Sequence, residues 1–197
     1  MQIAYNKQDM TQSELKLELA KQITHEDAHI FQDIIIETTN SEFSLLNLDK
    51  SSTSLDALLS CMLVETYWHP NTKNLYVTSN TLSLQSCQES LYWIASALEQ
   101  CRPERKYIKN NRSIEIEFGS SKSSLALAIY GYNFIGDGFQ NIIVDVNQHE
   151  HKIKNISKYI DSLASQNQKL IIVNRNDKSI SNIACQKTNN KLDNLIS

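Results

Sequence analysis

Glycine is absent from residues 1–118, and all four glycines of the chain lie between Gly119 and Gly138. Only glycine reaches φ > 0 without steric cost. The stretch before Gly119 therefore cannot easily wrap an anion in the nest of backbone N–H groups that a glycine-rich loop provides. Whatever that stretch folds into, its turns are made by residues that carry a Cβ.

At 197 residues the chain is long enough for one well-buried domain and short for two. A hydrophobic content of 41% with 21% charged residues suits a globular domain. The net charge of −3 argues against bulk attraction to nucleic acid and leaves a local basic patch open. No apolar run approaches the roughly 18 residues that span a bilayer, so no membrane role is expected. The N-terminal MQIAYNKQDMTQSE lacks a charged-then-apolar leader pattern, which makes a cytoplasmic location the expectation. Cys61, Cys87, Cys101 and Cys185 show no C-x-x-C spacing. Buried, reduced thiols are expected, because a chain of this size needs no disulfides.

Leu15, Leu19, Ile23, Phe31 and Ile34 recur at mixed three- and four-residue steps and predict a helix over residues 12–38. A strand is expected at Phe43–Leu48, then a helix from about Ser54 to His69 that Pro70 stops. Leu75–Thr78 reads as a short strand and Leu82–Cys101 as a long helix, with Pro103 ending that region. Arg102–Arg112 reads as an exposed loop. Ile114, Ile116 and Phe118 alternate with Glu115 and Glu117, the period-2 mark of a half-exposed strand. Ser124–Tyr130 would pair with it in a hairpin across Gly119–Ser123. Ile142–Val144 and Leu170–Val173 suit strands covered on both faces, with an amphipathic helix at Ile153–Leu163 between them. This order predicts one α/β domain with a largely parallel sheet and an antiparallel hairpin over residues 1–176, and a polar tail over 177–197.

Three segments in that order resemble the ATPase domain of the large terminase subunit of tailed phages, the motor that pumps DNA into capsids. The first is Phe31-Gln32, followed by the strand Phe43-Ser-Leu-Leu-Asn47-Leu48 and a helix ending at His69-Pro70. The family has an adenine-sensing glutamine upstream, then a strand, phosphate loop and helix. The second, Ser113-Ile-Glu-Ile-Glu-Phe-Gly119-Ser-Ser, resembles the family's S-I-E-L-x-N-G-S hairpin. The third, Gly136-Asp-Gly-Phe-Gln-Asn-Ile142-Ile-Val-Asp145, is similar to R-G-x-x-x-x-x-I-x-I-D-E. Lys169–Val173 would be the strand before the coupling motif. The resemblance spans about residues 28–176. It implies a three-layer P-loop NTPase-like fold, a nucleotide site at Gln32, Lys50, Ser51, Ser52, Thr53 and Ser54, and Asp145 as the Mg²⁺ acid. It covers the motor part of the family and not the nuclease that follows.

The departures from the family pattern carry as much weight as the matches. The phosphate loop R-x-x-G-K-[ST] has its best ungapped register at Lys50-Ser-Ser-Thr53-Ser54-Leu55, where Thr53 replaces glycine, Ser54 the lysine and Leu55 the hydroxyl. A shifted register sets Asp49-Lys50-Ser51 on G-K-[ST], which restores lysine and hydroxyl but brings a carboxylate against the phosphates. After Asp145 the water-activating glutamate is Val146, and Asn147 and Gln148 cannot act as general bases. Ile135 stands for the arginine before the glycine, and the coupling position reads Asn174-Arg175-Asn176. Phosphoryl transfer depends on positioning and charge compensation, so hydrolysis is expected to be weak or absent, with ATP and Mg²⁺ as the open ligands.

Other constellations admit plainer readings. His25-Glu26-Asp27-Ala28-His29 matches H-E-x-x-H, the spacing that puts two imidazoles on one helix face for Zn²⁺. Charged Asp27 inside the motif and its early position favour a solvated helix face instead. Arg105, Lys106, Lys109 and Arg112, with Arg102 and Tyr107, form the densest basic run and could meet DNA phosphates; a solvated loop explains them equally. Tyr67, Trp68, Tyr92 and Trp93 are expected to pack on the sheet or at its edges. His149, Glu150 and His151 read as the polar start of the next helix. The expected function is a degenerate terminase-like ATPase domain connected with phage DNA packaging, acting as a binding or assembly partner of an intact motor or portal protein. The alternatives are an active ATP-driven DNA translocase subunit using Lys50, Ser51 and Asp145, and a zinc hydrolase using His25 and His29. The oligomeric state is left open.

Overall fold

A computed structural model of the chain describes residues 10–23, 43–47, 52–78, 81–129, 138–146 and 169–174. The expected helical residues 24–38 and the helix at Ile153–Leu163 lie outside the described residues.

Helix α1 (Gln12–Ile23) opens on a reciprocal cap. The Thr11 Oγ1 accepts from the Glu14 N–H at 3.2 Å while the Thr11 N–H donates to the Glu14 carboxylate at 2.8 Å. That exchange satisfies two of the donors a helix start leaves orphaned. Strand β1 (Phe43–Asn47) is followed by helix α2 (Ser52–Trp68), β2 (Lys73–Thr78) and helix α3 (Thr81–Cys101). Then come β3 (Lys106–Asn110), β4 (Ser113–Phe118), β5 (Ser121–Ile129), β6 (Asn141–Val146) and β7 (Lys169–Asn174).

The seven strands form one sheet in the order β1-β7-β6-β2-β5-β4-β3. Pairs from β1 through β5 are parallel, and β5-β4 and β4-β3 are antiparallel. The mostly parallel sheet with an antiparallel hairpin is as expected. Strand β3 is not: the basic stretch read as a loop is an edge strand. Its edge carries Lys106, exposed and paired with Glu117 at 3.5 Å, a common way to keep an edge from pairing with other chains.

Turns before Gly119 are made without glycine. Pro70 cannot continue α2, and Asn71 takes the left-handed conformation (φ 61°) that redirects the chain into β2. The β4–β5 turn is tighter than expected: Phe118 pairs with Ser121, leaving only Gly119 and Ser120 between the strands. Gly119 sits there at φ 66°, the first turn position that type II′ hairpins reserve for glycine.

Helices α1, α2 and α3 pack on one face of the sheet. Their shared core holds Leu15, Leu63, Ile94, Tyr76, Ile143 and Val173. On the opposite face of the central strands Leu75, Val77, Ile142 and Val144 are buried as well. Both faces of β2 and β6 are therefore covered, as a three-layer α/β domain requires. Every residue from Ala57 to Val64 is buried, so α2 is apolar all round and forms the interior rod of that layer.

Asp56, near the start of α2, has its carboxyl pushed up by burial, opposed by a hydrogen bond from Ser90 on α3. Its protonated form is the one the fold prefers. The stability it contributes is complete below the ordinary carboxylate range and is lost as pH rises through the raised folded value. Asp56→Asn should therefore raise the melting temperature at neutral pH by about 2 °C, and the gain should vanish in acid. Calorimetry at two pH values checks this.

Candidate nucleotide site at the carboxyl edge of the sheet

In open α/β sheets ligands bind outside the carboxyl ends of the parallel strands. Here Asn47 of β1 lies beside Asn174 of β7, which lies beside Val146 of β6. β7 thus separates the strand that leads into the candidate phosphate loop from the strand that carries Asp145. Only Leu48, Asp49, Lys50 and Ser51 connect β1 to α2. Ser52, Thr53 and Ser54 form the first turn of α2, whose unpaired N–H groups and dipole favour an anion. In the ungapped register Thr53 and Ser54, which stand for glycine and lysine, fall in that first turn. Leu55, at the hydroxyl position of that register, is half-buried and packs against the hydrophobic core.

Gln32, Lys50, Ser51, His25 and His29 lie outside the described residues. Asp145 is in strand β6 and nearly buried at 7% exposure. Its Oδ2 accepts a hydrogen bond from the Tyr76 hydroxyl of β2. Tyr76 pairs in register with Ile143, so Asp145 lies two residues farther along on the same face. A long side chain leaning along its strand covers that offset. Sequence reasoning missed Tyr76. The available signal was a lone phenol in the apolar run Leu75–Val77, since a buried hydroxyl needs a partner.

Mg²⁺ favours octahedral oxygen ligands, one or two of them carboxylates. The described residues fit it poorly: one Asp145 oxygen is engaged by a buried phenol, and in the ungapped register Leu55 stands where the hydroxyl would be. No group of three His, Cys, Asp or Glu side chains comes together among the described residues.

The basic run is brought together and largely engaged. Lys109 Nζ bonds Glu99 at 3.1 Å and Ser96 at 3.0 Å, both on α3. Arg105 is sandwiched between the rings of Phe118 and Tyr67, 3.7 and 4.3 Å from their centroids. Tyr67 donates to Glu104. Burial, then that hydrogen bond, pushes the Tyr67 phenol up; burial also drives Tyr107 well above the usual tyrosine range. Arg112 is exposed in the β3–β4 turn. Tyr67 and Trp68 pack as expected, whereas Trp93 is half exposed.

A cavity of about 10 Å³ lined by Lys16, Glu65, Asn141 and Ile143 lies at the amino end of the sheet. That volume has room for about one water and is far too small for a nucleotide. No helix among the described residues is long and apolar enough to cross a membrane. Cys61, Cys87 and Cys101 are buried, as expected, and Cys185 lies outside the described residues.

No protein-family model matches the chain, and no curated protein matches it. Solved structures do. The Thermus phage P74-26 large terminase ATPase domain aligns with TM-score 0.63 at 9% identity over 87% of this chain and 72% of that one. The HK97 bacteriophage large terminase aligns with TM-score 0.56 at 11% identity, over 83% of this chain and 37% of that one. The large terminase of a thermophilic bacteriophage gives TM-score 0.52 at 7% identity, over 94% of this chain and 44% of that one. The chain thus spans less than half of these two longer proteins. It has the α/β P-loop-type fold of a phage large terminase ATPase domain.

Proposed function

We propose that the chain is a degenerate terminase-type ATPase domain that hydrolyses ATP weakly or not at all and works as a binding or assembly module in phage DNA packaging. The observation that carries this reading is the end of β6. The acidic strand presents Asp145 followed by Val146, where activation of water needs a second carboxylate. The glycine-free connection from β1 to α2 supports it, as does Leu55 packing into the core. An intact packaging motor or a portal protein is the partner the fold suggests, in the cytoplasm of an infected cell. DNA contact through Arg105, Lys106, Lys109 and Arg112 is the weaker part of the reading, because three of the four cations already face rings or carboxylates.

Phosphate release from ATP·Mg²⁺ should be indistinguishable from the protein-free blank, and calorimetry should show weak nucleotide binding or none. Turnover that disappears in both Asp145→Ala and Lys50→Ala would overturn the reading in favour of an active translocase subunit. Stoichiometric zinc lost on His29→Ala would favour a hydrolase.

A further inference from the structure

We infer that Tyr76 has taken over Asp145 as a structural partner, so that this carboxylate ties β2 to β6 in place of holding a divalent cation. The inference rests on the degenerate-ATPase reading and gives it a physical cause. Tyr76 is fully buried and Asp145 nearly so. Their side chains meet on the helix-covered face across adjacent parallel strands. A phenol with its ring in the core must place its hydroxyl somewhere, and a carboxyl group at a strand end needs partners once water is excluded. Each solves the other's problem. A hydrogen bond between two buried groups is costly to leave unmade. A metal at this position would have to compete with it for Oδ2. The sequence after Asp145 agrees with that outcome, since Val146 brings no second carboxylate to the strand end.

The two roles demand different things of position 145. A metal site needs the negative charge, and asparagine abolishes it. A partner for a phenol needs only an acceptor, which the asparagine amide oxygen supplies. Tyr76→Phe keeps the ring and removes the donor, leaving a buried carboxylate with one partner fewer.

Thermal unfolding of four proteins tests the inference: the unaltered chain, Tyr76→Phe, Asp145→Asn and the double variant, each with and without millimolar Mg²⁺. Tyr76→Phe should lower the melting temperature by about 4 °C or more. Asp145→Asn should stay within about 2 °C of the unaltered chain, and the double variant should recover at least half of the Tyr76→Phe loss. Mg²⁺ should leave the unaltered chain unshifted, because only a ligand that binds the folded state raises its midpoint. A Tyr76→Phe protein as stable as the unaltered chain overturns the inference. So does a Mg²⁺-induced rise that Asp145→Asn abolishes. If Tyr76→Phe does not fold, a folded double variant is the expected result and an unfolded one overturns it. ATP turnover would sink the proposed function while leaving this cycle to be judged on its own numbers.

Discussion

Glu65→Ala is expected to lower the unfolding free energy by about 3 kcal/mol or more in urea denaturation, since it breaks an ion pair to a buried lysine and removes the acceptor of Gln12. Glu65 lies on α2 and gathers three partners. Lys16 Nζ of α1 approaches its Oε1 at 3.6 Å, and Gln12 Nε2 donates to the same oxygen at 2.6 Å. His69, one turn on, lies 3.4 Å from Oε2. Lys16 is only 1% exposed, so its pair with Glu65 is shielded from solvent. The exposed imidazole of His69 adds little, because such pairs are screened. The decisive comparison is Lys16→Met with Glu65→Gln. Removing both charges while keeping an acceptor for Gln12 should leave stability within about 1 kcal/mol of the unaltered chain. Equal damage from Glu65→Ala and from the double change would mean that packing, not the ion pair, holds α1 in place.

The same pair illustrates what could be read from the sequence. Lys16 falls between Leu15 and Leu17 in a helix with charges on several faces, so periodicity marks it as solvated; packing against α2 and the sheet buries it. Strand β3 escaped for a related reason. Lys106-Tyr107-Ile108-Lys109-Asn110 has no apolar face, because Lys109 turns inward to Glu99 and Ser96. An edge strand held by inward-pointing charge leaves no period-2 hydrophobic trace. The central strands were legible because burial on both faces forces continuous apolar runs such as Ile142–Val144. The exits of α2 and α3 were legible because Pro70 and Pro103 follow them.

At the candidate site, Asp145 could be found from the sequence and its partner could not. Strand-end acids after an apolar run are a local signal. The Tyr76–Asp145 contact joins residues 69 positions apart, and it depends on which strands are neighbours. That neighbourhood is unusual in sequence terms: β6 pairs with β2 and β7, while β1 lies beyond β7 at the far edge. Seven strands admit many orders, and hydrophobic patterning does not choose among them. Much of the glycine-free stretch was legible because the missing residue type removes options. An asparagine at Asn71 then does by φ 61° what a glycine would do elsewhere.

Leu63→Ala should cost about 2–5 kcal/mol, the range for truncating a leucine in a core that cannot collapse around the gap. Leu63 is fully buried on a helix with no solvent face between Ala57 and Val64. It sits where α1, α3 and the sheet enclose α2, so relaxation must move several elements at once. Leu82→Ala on α3 is the control: at 76% exposure it should change stability by no more than about 0.5 kcal/mol. The contrast bears on the site as well as on the fold. The first turn of α2 follows directly on the four-residue connection from β1, and the rod behind it is fixed by the core. Any anion at that helix start would meet the N–H groups of the first turn of α2, with no glycine loop to close over it. If Leu63→Ala proved as mild as Leu82→Ala, α2 would be loosely held, and a connection this short could rearrange to grip a phosphate after all.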